Sequence, residues 1–312
     1  MFRKRLFLHG IFLFLLPVLV AAFGLGVVTA SLLVAAMLLW RWLIVVSGIW
    51  APEKTADIVL DTISASHFVE KVRWCMDRLG VDYTERQSAG TLGVFFTGRT
   101  VPRLRVRTGL VESVIGNSPE ILRYLWGAYG AAAFLEPTEA RVELEGCLDR
   151  YGRSLQVWIY YHMLRDRQLT LQAWGANSPY VPGWQRRLLG LLFPLQAALI
   201  RRAFGITDDH YAKSVLRIEE LLSDVDTRLA DGRTSILGEE EINYTDLAFA
   251  AFTGLWLQPQ GYGGVKGQYV RIERARLPGR MRADIERWIE DFPRATRFVE
   301  ALYRDQRGLE TS

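Results

Sequence analysis

The longest uncharged segment constrains what this chain can fold into more than any other feature. Residues 6–40 contain no Asp, Glu, Lys or Arg. A single helix of these 35 residues would extend roughly 52 Å, whereas the hydrocarbon core of a bilayer is about 30 Å thick. Two helices fit better than one, and Gly24-Leu25-Gly26 is the natural place for a turn. We predict a transmembrane helical hairpin with helices at about 6–23 and 27–46, which forms a membrane anchor over residues 1–50.

The charges that flank this segment predict the orientation of the anchor. Arg3-Lys4-Arg5 precede it, Arg41 lies near its end and Lys54 follows it. Because positively charged flanks stay on the cytoplasmic side, both ends of the hairpin and the rest of the chain are expected in the cytoplasm. Two alternatives remain: a signal peptide cleaved near Val20-Ala21-Ala22, and a hairpin that enters one leaflet only. Both leave the rest of the chain cytoplasmic.

The composition of the remainder argues against several classes of protein. Removing the four charges that precede Glu53 from the 38 Lys and Arg leaves 34, which equals the number of Asp and Glu. A formally neutral remainder gives no reason to expect nucleic-acid binding. Two cysteines, Cys75 and Cys147, cannot form a disulfide framework, and neither they nor the histidines have the spacing of metal ligands. We therefore expect no metal.

Residues 55–130 have the pattern of a small α/β domain with one sheet. The segments in order are a strand at 57–63, a helix that ends at Gly80, a strand at 81–83, strands at 101–106 and 110–112, and a helix capped by Ser118 with Pro119 at its first position. A strand followed by a helix and a second strand is typical of α/β folds.

Residues 137–312 are expected to be helical throughout. The predicted helices are 138–166, 183–204, 209–230, 245–257 and 280–304. The segment 183–204 contains four arginines and no acid, and its apolar stretch is too short to span a bilayer. It is expected to be a buried helix with charged ends; the alternatives are a helix on a membrane surface and a wall of an apolar pocket.

Four short motifs follow one another along residues 57–304. They are Ser66-His67-Phe68 with Lys71-Val72-Arg73, then Thr100-Val101-Pro102, then Asn117-Ser118-Pro119-Glu120 with Tyr124-Leu125, and finally Asn243-Tyr244-Thr245-Asp246. In this order they resemble the motifs of the glutathione transferase superfamily. The resemblance implies a thioredoxin-like, glutathione-binding domain at 55–130 and an all-helical domain at 137–312. The fourth motif is a capping box, which serves folding and not chemistry.

The resemblance implies a role for each site residue. Ser66, at a helix N-terminus, would donate a hydrogen bond to the thiolate of glutathione and lower its pKa; Ser64 is the alternative. Thr100 and Val101, with Pro102 in cis, would pair with the tripeptide backbone.

A second pair of residues would hold the other end of the tripeptide. Ser118 and its helix N-terminus would bind the γ-glutamyl carboxylate. Asn117 stands where relatives have an acid that contacts the ammonium group, and Glu112-Ser113 is the alternative acid–serine pair. His67 departs from the family pattern as well, because relatives commonly have proline there.

The expected function is that of a membrane-anchored glutathione transferase, in which glutathione is a co-substrate and no other cofactor is needed. The partners implied are glutathione, a small apolar electrophile, membrane lipid and a second copy of the chain. The alternative from another class is a non-catalytic membrane adaptor like metaxin. A glutathione-dependent reductase or isomerase is a third possibility, and the absence of cysteine from the Ser64–Ser66 turn argues against disulfide exchange.

Overall fold

The computed structural model describes residues 16–50, 56–63, 65–90, 101–108, 111–267 and 269–307. These residues form two compact units. One combines the described residues up to Asp57 with Val106–Ser113, and the other combines Ile58–Arg105 with the described residues from Val114 onward. The predicted boundary between residues 130 and 137 lies inside the second unit.

The first unit contains two consecutive apolar helices, α1 (Leu16–Leu25) and α2 (Val27–Trp50). Gly26 joins them with a φ of +88°, a conformation that side chains with a Cβ rarely adopt. Val18 of α1 and Met37 of α2 line the same groove, so the helices lie side by side. The break therefore falls where the glycines predicted it.

Most of the described side chains of α1 and α2 are apolar and exposed. Ala21 and Ala30 are buried between the helices, whereas Phe23 is 91% exposed. Within the described residues, no single helix is both long and apolar enough to cross a bilayer. The expectation of two spanning helices at 6–23 and 27–46 is therefore not supported, and residues 6–15 lie outside the described part of the chain.

The second region of regular structure is a four-stranded sheet. Its strands are β1 (Asp57–Thr62), β2 (Thr84–Gln87), β3 (Arg103–Thr108) and β4 (Val111–Gly116), in the spatial order β2-β1-β3-β4. Strands β1 and β2 are parallel, with Val59 opposite Thr84. A parallel pair requires a crossover connection, which is helix α3 (His67–Arg78).

Two predicted strands begin too early. The strand predicted at 81–83 is β2 at Thr84, because the backbone N–H of Val81 closes the end of α3 by donating to Met76. The strand predicted at 101–106 begins at Arg103, after Pro102, which has no N–H to donate to a sheet. Strand β4 extends to Gly116, beyond the predicted 110–112.

The remainder is helical, as predicted. The described α-helices here are α4 (Ser118–Ala128), α5 (Glu139–Met163), α6 (Arg167–Ala173), α7 (Gly183–Ala203), α8 (Asp208–Arg228), α9 (Tyr244–Leu257), α10 (Gly264–Gly267), α11 (Gly279–Asp291) and α12 (Pro293–Gln306). The helix predicted at 280–304 is two helices, because Pro293 lacks an N–H and restricts the backbone before it. Helices Gly183–Ala203 and Asp208–Asp231 jointly have the length and composition of a span, but they are bent by 67°.

Helix α9 is the centre of the core. All of its 14 residues are buried. It contacts α3 of the sheet region as well as α5 and α12. A helix that is apolar on every face has to be enclosed by other elements, so α9 joins the sheet region to the helical region.

The N-terminus of α9 is held by the capping box that the sequence predicts. The Asn243 side chain accepts from the Thr245 N–H, and Asp246 accepts from the Asn243 N–H at 2.9 Å. Asp246 also accepts from the Ile236 N–H at 2.8 Å. The buried carboxylate therefore satisfies two backbone donors, one of them in the preceding loop.

We expect Asp246→Ala to lower the free energy of unfolding by about 3 kcal/mol, because it leaves two buried N–H groups without acceptors. The control is Thr207→Ala, which removes the exposed cap of α8 and should cost about 1 kcal/mol. Urea unfolding followed by tryptophan fluorescence measures both. An equal loss of unfolding free energy in Asp246→Ala and Thr207→Ala would contradict the role of Asp246 as acceptor for two buried N–H groups.

Candidate functional site

A small cavity lies beside the N-terminus of α3. It has a volume of about 190 Å³. Ser66, His67 and Val101 contribute to it from the sheet region. The remaining lining residues are Ile63, Ala65, Gln156, Ile159, Tyr160, Met163, Thr170, Ala173, Trp174, Phe204 and Leu255. The cavity is therefore polar near Ser66 and mostly apolar elsewhere.

Ser66 is the N-cap of α3. Its backbone is extended and its hydroxyl oxygen accepts from the Val69 N–H at 3.4 Å. A hydroxyl can accept and donate at the same time. Within the described residues the Ser66 hydroxyl makes no other hydrogen bond, so its proton is free for a ligand. Ser64, the alternative, lies outside the described residues.

His67 is a buried packing residue. Its Nε2–H donates to the Gly152 carbonyl of α5 at 3.0 Å, and its ring contacts Phe68 and Phe252. Burial lowers the pKa of His67 from 6.5 to about 4. The side chain is therefore neutral at pH 7 and ties the start of α3 to α5.

Val101 and Pro102 are joined by a cis peptide bond, as the resemblance implies. Val101 lines the same cavity as Ser66, whereas Pro102 is buried and is not among the lining residues. Thr100 lies outside the described residues.

The start of α4 differs from the prediction. Asn117, not Ser118, is the N-cap, and Ser118 is the first helical residue. Asn117 has φ +66° and makes no side-chain capping bond. The Ser118 side chain is 2% exposed, and its hydroxyl has no partner among the described residues. A buried hydroxyl without a partner at a helix N-terminus is a candidate for binding an anion.

The structure brings only some of the predicted residues together. Ser66 and Val101 line one cavity, and Asn117 and Ser118 are not among its lining residues. The alternative pair is exposed on β4, where Glu112 accepts from Arg107 at 2.9 Å. Because Glu112 is already paired with Arg107, it is a weaker candidate for binding the ammonium group of glutathione.

Several cavity residues were not predicted from the sequence. Thr170 lies on the short helix α6 and Trp174 is its C-cap, and no local motif indicates the position of this helix against the sheet region. Tyr160 and Met163 line the cavity from α5. A bond from the Gly90 N–H to the Trp174 carbonyl, at 3.0 Å, holds this wall beside the sheet region.

No described cysteine is suited to nucleophilic chemistry in this cavity. Cys75 is fully buried on α3, and burial raises the pKa of its thiol to about 12. Cys147 lies on α5 and is not among the lining residues. Groups of His, Cys, Asp and Glu that could hold a metal ion are absent from the described residues.

The charges of the first motif form buried ion pairs. Lys71 contacts Glu145 of α5 at 2.6 Å, and Arg123 of α4 binds the other oxygen of that carboxylate. Arg73 contacts Glu85 of β2 at 2.8 Å. The motif therefore fixes α3 directly to α5 and β2, and through Glu145 to α4, in addition to presenting Ser66.

Two solved structures resemble this architecture. A glutathione S-transferase from Methylobacterium radiotolerans, in complex with glutathione sulfonate, superposes with a TM-score of 0.50 at 16% identity; the match covers 80% of this chain and 92% of that chain. A glutathione S-transferase from Methylobacillus flagellatus with glutathione bound gives a TM-score of 0.50 at 13% identity, over 80% of this chain and 96% of that chain.

The chain has the glutathione transferase fold. The likeness in structure is not matched by likeness in sequence, because no family model and no curated protein matches the chain. Identities of 13% and 16% establish the fold without establishing an activity.

His67 should make the stability of the protein depend on pH. Between pH 6.5 and about 4, the unfolded chain binds a proton at this histidine and the folded chain does not, so the free energy of unfolding falls as the pH falls. We expect His67 to account for a loss of about 3 kcal/mol between pH 7 and pH 4.

Urea unfolding at a series of pH values measures this loss. The variant His67→Gln should lose correspondingly less stability on acidification. The control is His210→Gln, whose ring also bonds to a backbone carbonyl, that of Gly205, but lies near the surface. A His67 variant that keeps the full pH dependence would contradict the assignment.

Proposed function

We propose that the protein binds glutathione and activates its thiol at Ser66. The observation that carries this proposal is the position of the Ser66 hydroxyl, which lines a cavity at the N-terminus of α3 and donates to no acceptor among the described residues. A helix N-terminus favours negative charge, so a thiolate beside it is stabilised relative to the thiol. The two similar structures contain glutathione or its sulfonate, which supports the choice of ligand.

The proposed reaction is addition of the sulfur of glutathione to an electrophilic carbon. The thiol loses its proton to water, and Ser66 donates its hydrogen bond to the thiolate. The sulfur lone pair then forms a bond to carbon, and either a leaving group departs with its electron pair or the resulting anion takes a proton from water. The transfer needs no electron acceptor and no further cofactor.

The walls of the cavity support a small apolar electrophile. Ile159, Met163, Trp174, Phe204 and Leu255 surround the space beyond Ser66. Apolar walls favour substrates without charge, because a charge would be desolvated there without compensation. A volume of about 190 Å³ limits the size of the substrate.

We also propose that α1 and α2 hold the protein at a membrane, with the rest of the chain in the cytoplasm. Exposed apolar side chains cover both helices, including Phe23, Val28 and Leu38. Arg41 is the one described charge on them. An apolar electrophile concentrates in a membrane, so an anchored enzyme would meet it there.

A non-catalytic adaptor is the second candidate function. Asn117 favours it, because an amide replaces the acid that would bind the ammonium group of glutathione. A reductase that uses disulfide exchange is disfavoured, because the buried Cys75 thiol has a raised pKa.

Calorimetry on the full chain in detergent micelles tests glutathione binding. Ser118→Ala should weaken binding by about 10- to 100-fold, because it removes a hydrogen bond to a charged carboxylate. Ser66→Ala should change affinity little but raise the pKa of the bound thiol, which is read from the ultraviolet absorbance of the thiolate.

Ser113→Ala is the matched control, because Ser113 is an exposed serine on β4. It should bind glutathione like the unaltered chain. Folded protein that binds no glutathione would favour the adaptor, and an unchanged thiol pKa in Ser66→Ala would remove Ser66 from the mechanism.

A further inference from the structure

Helix α7 has two apolar faces, of which the fold covers one. Leu189, Phe193, Ala197 and Ile200 pack into a buried cluster. On the other face, Leu191 is 76% exposed, and Leu195 and Leu199 are each 57% exposed. The helix predicted to be buried is therefore buried on one side only.

The exposed residues form one continuous stripe along the helix. Trp184, Leu191, Leu195 and Leu199 are exposed and follow one another at spacings of seven, four and four residues, and the half-buried Leu188 lies between Trp184 and Leu191. Residues at these spacings lie on the same helix face. Single exposed leucines are common on protein surfaces, but a continuous apolar stripe of this length marks an interaction surface.

The charges on α7 itself have one sign. Helix α7 contains no Asp or Glu between Gly183 and Ala203. Arg187 and Arg202 are exposed and lie on the same side of the helix as Leu191. Arginines beside an apolar stripe suit a partner whose surface is negatively charged and whose interior is apolar.

The basic surface continues beyond the end of the helix. A groove of about 560 Å³ begins at Ala203 and Phe204, next to Leu199, and Arg150, Arg153 and Arg217 line it. None of these three guanidinium groups has a carboxylate oxygen within 4.0 Å in the part of the chain that the structure describes. The groove can therefore accept a phosphate-bearing group.

A second copy of the chain fits this surface poorly. In a symmetric dimer the same patch meets itself, so the arginines of one α7 would approach those of the other. No acid on α7 is available to pair with them. An anionic lipid bilayer avoids this repulsion and provides hydrocarbon for the leucines.

We propose that α7 lies on an anionic bilayer, with its stripe among the acyl chains and a lipid phosphate in the arginine-lined groove. The proposal is independent of glutathione binding and of the manner in which α1 and α2 attach to a membrane. Each arginine near an anionic membrane surface contributes about 1 kcal/mol.

A fluorescent probe on α7 tests this contact in the full chain. In a Cys147→Ser background, an environment-sensitive dye is attached through Leu191→Cys, and a matched sample carries the dye at Leu216→Cys. Leu216 is 59% exposed on α8 and lies outside the stripe and the groove. Both proteins are reconstituted into phosphatidylcholine vesicles with and without an equal part of phosphatidylglycerol.

We expect the dye at position 191 to shift to the blue and to be quenched by nitroxide lipids in the anionic vesicles, whereas the dye at position 216 stays in water. Arg187→Gln with Arg202→Gln should lower the ratio of docked to undocked protein about 30-fold. The proposal would be overturned if the dye at position 191 remained in water in the anionic vesicles. It would also be overturned if that dye were shielded from water without lipid, to an extent that depends on protein concentration. A third contrary result is insertion of the dye that is equal in both kinds of vesicle and unchanged by Arg187→Gln with Arg202→Gln.

Discussion

The buried contact between Lys71 and Glu145 fixes the relation between the sheet region and the helical region. The ammonium group of Lys71 is fully buried, and Glu145 also binds Arg123. Removing one partner of such a pair leaves an uncompensated charge, which costs about 3–5 kcal/mol. Because Ser66 is the N-cap of α3, the ion pair that orients α3 also orients the candidate site.

A close approach between α3 and α5 reinforces this arrangement. A Cβ at Gly152 would lie 2.8 Å from the Phe68 ring and 3.2 Å from the His67 ring. Glycine at this position lets α5 come near enough for its carbonyl to accept the hydrogen bond from His67. His67, which departs from the motif of the glutathione transferases that the sequence resembles, thus has a structural role: it connects the start of α3 to α5.

The sequence predicted the features that depend on local interactions. The turn at Gly26, the capping box of α9 and the order of strands and helices follow from backbone preferences and periodicity. It did not predict the burial of Lys71 and Glu145, because charged residues at helical spacing usually face solvent. It also missed Trp174 in the cavity wall, because the packing of α6 beside the sheet region is set by tertiary contacts.

The two serines of the candidate glutathione site, Ser66 and Ser118, differ in whether the fold already provides a hydrogen-bond partner for the hydroxyl group. The Ser66 oxygen accepts a cap bond and keeps a proton to donate, so the same side chain stabilises α3 with or without a ligand. Ser118 is buried, its hydroxyl has no partner among the described residues, and it follows Asn117 at positive φ. Both features cost stability in the free protein. A carboxylate bound at the start of α4 would accept that hydroxyl proton, so ligand binding would recover part of this cost.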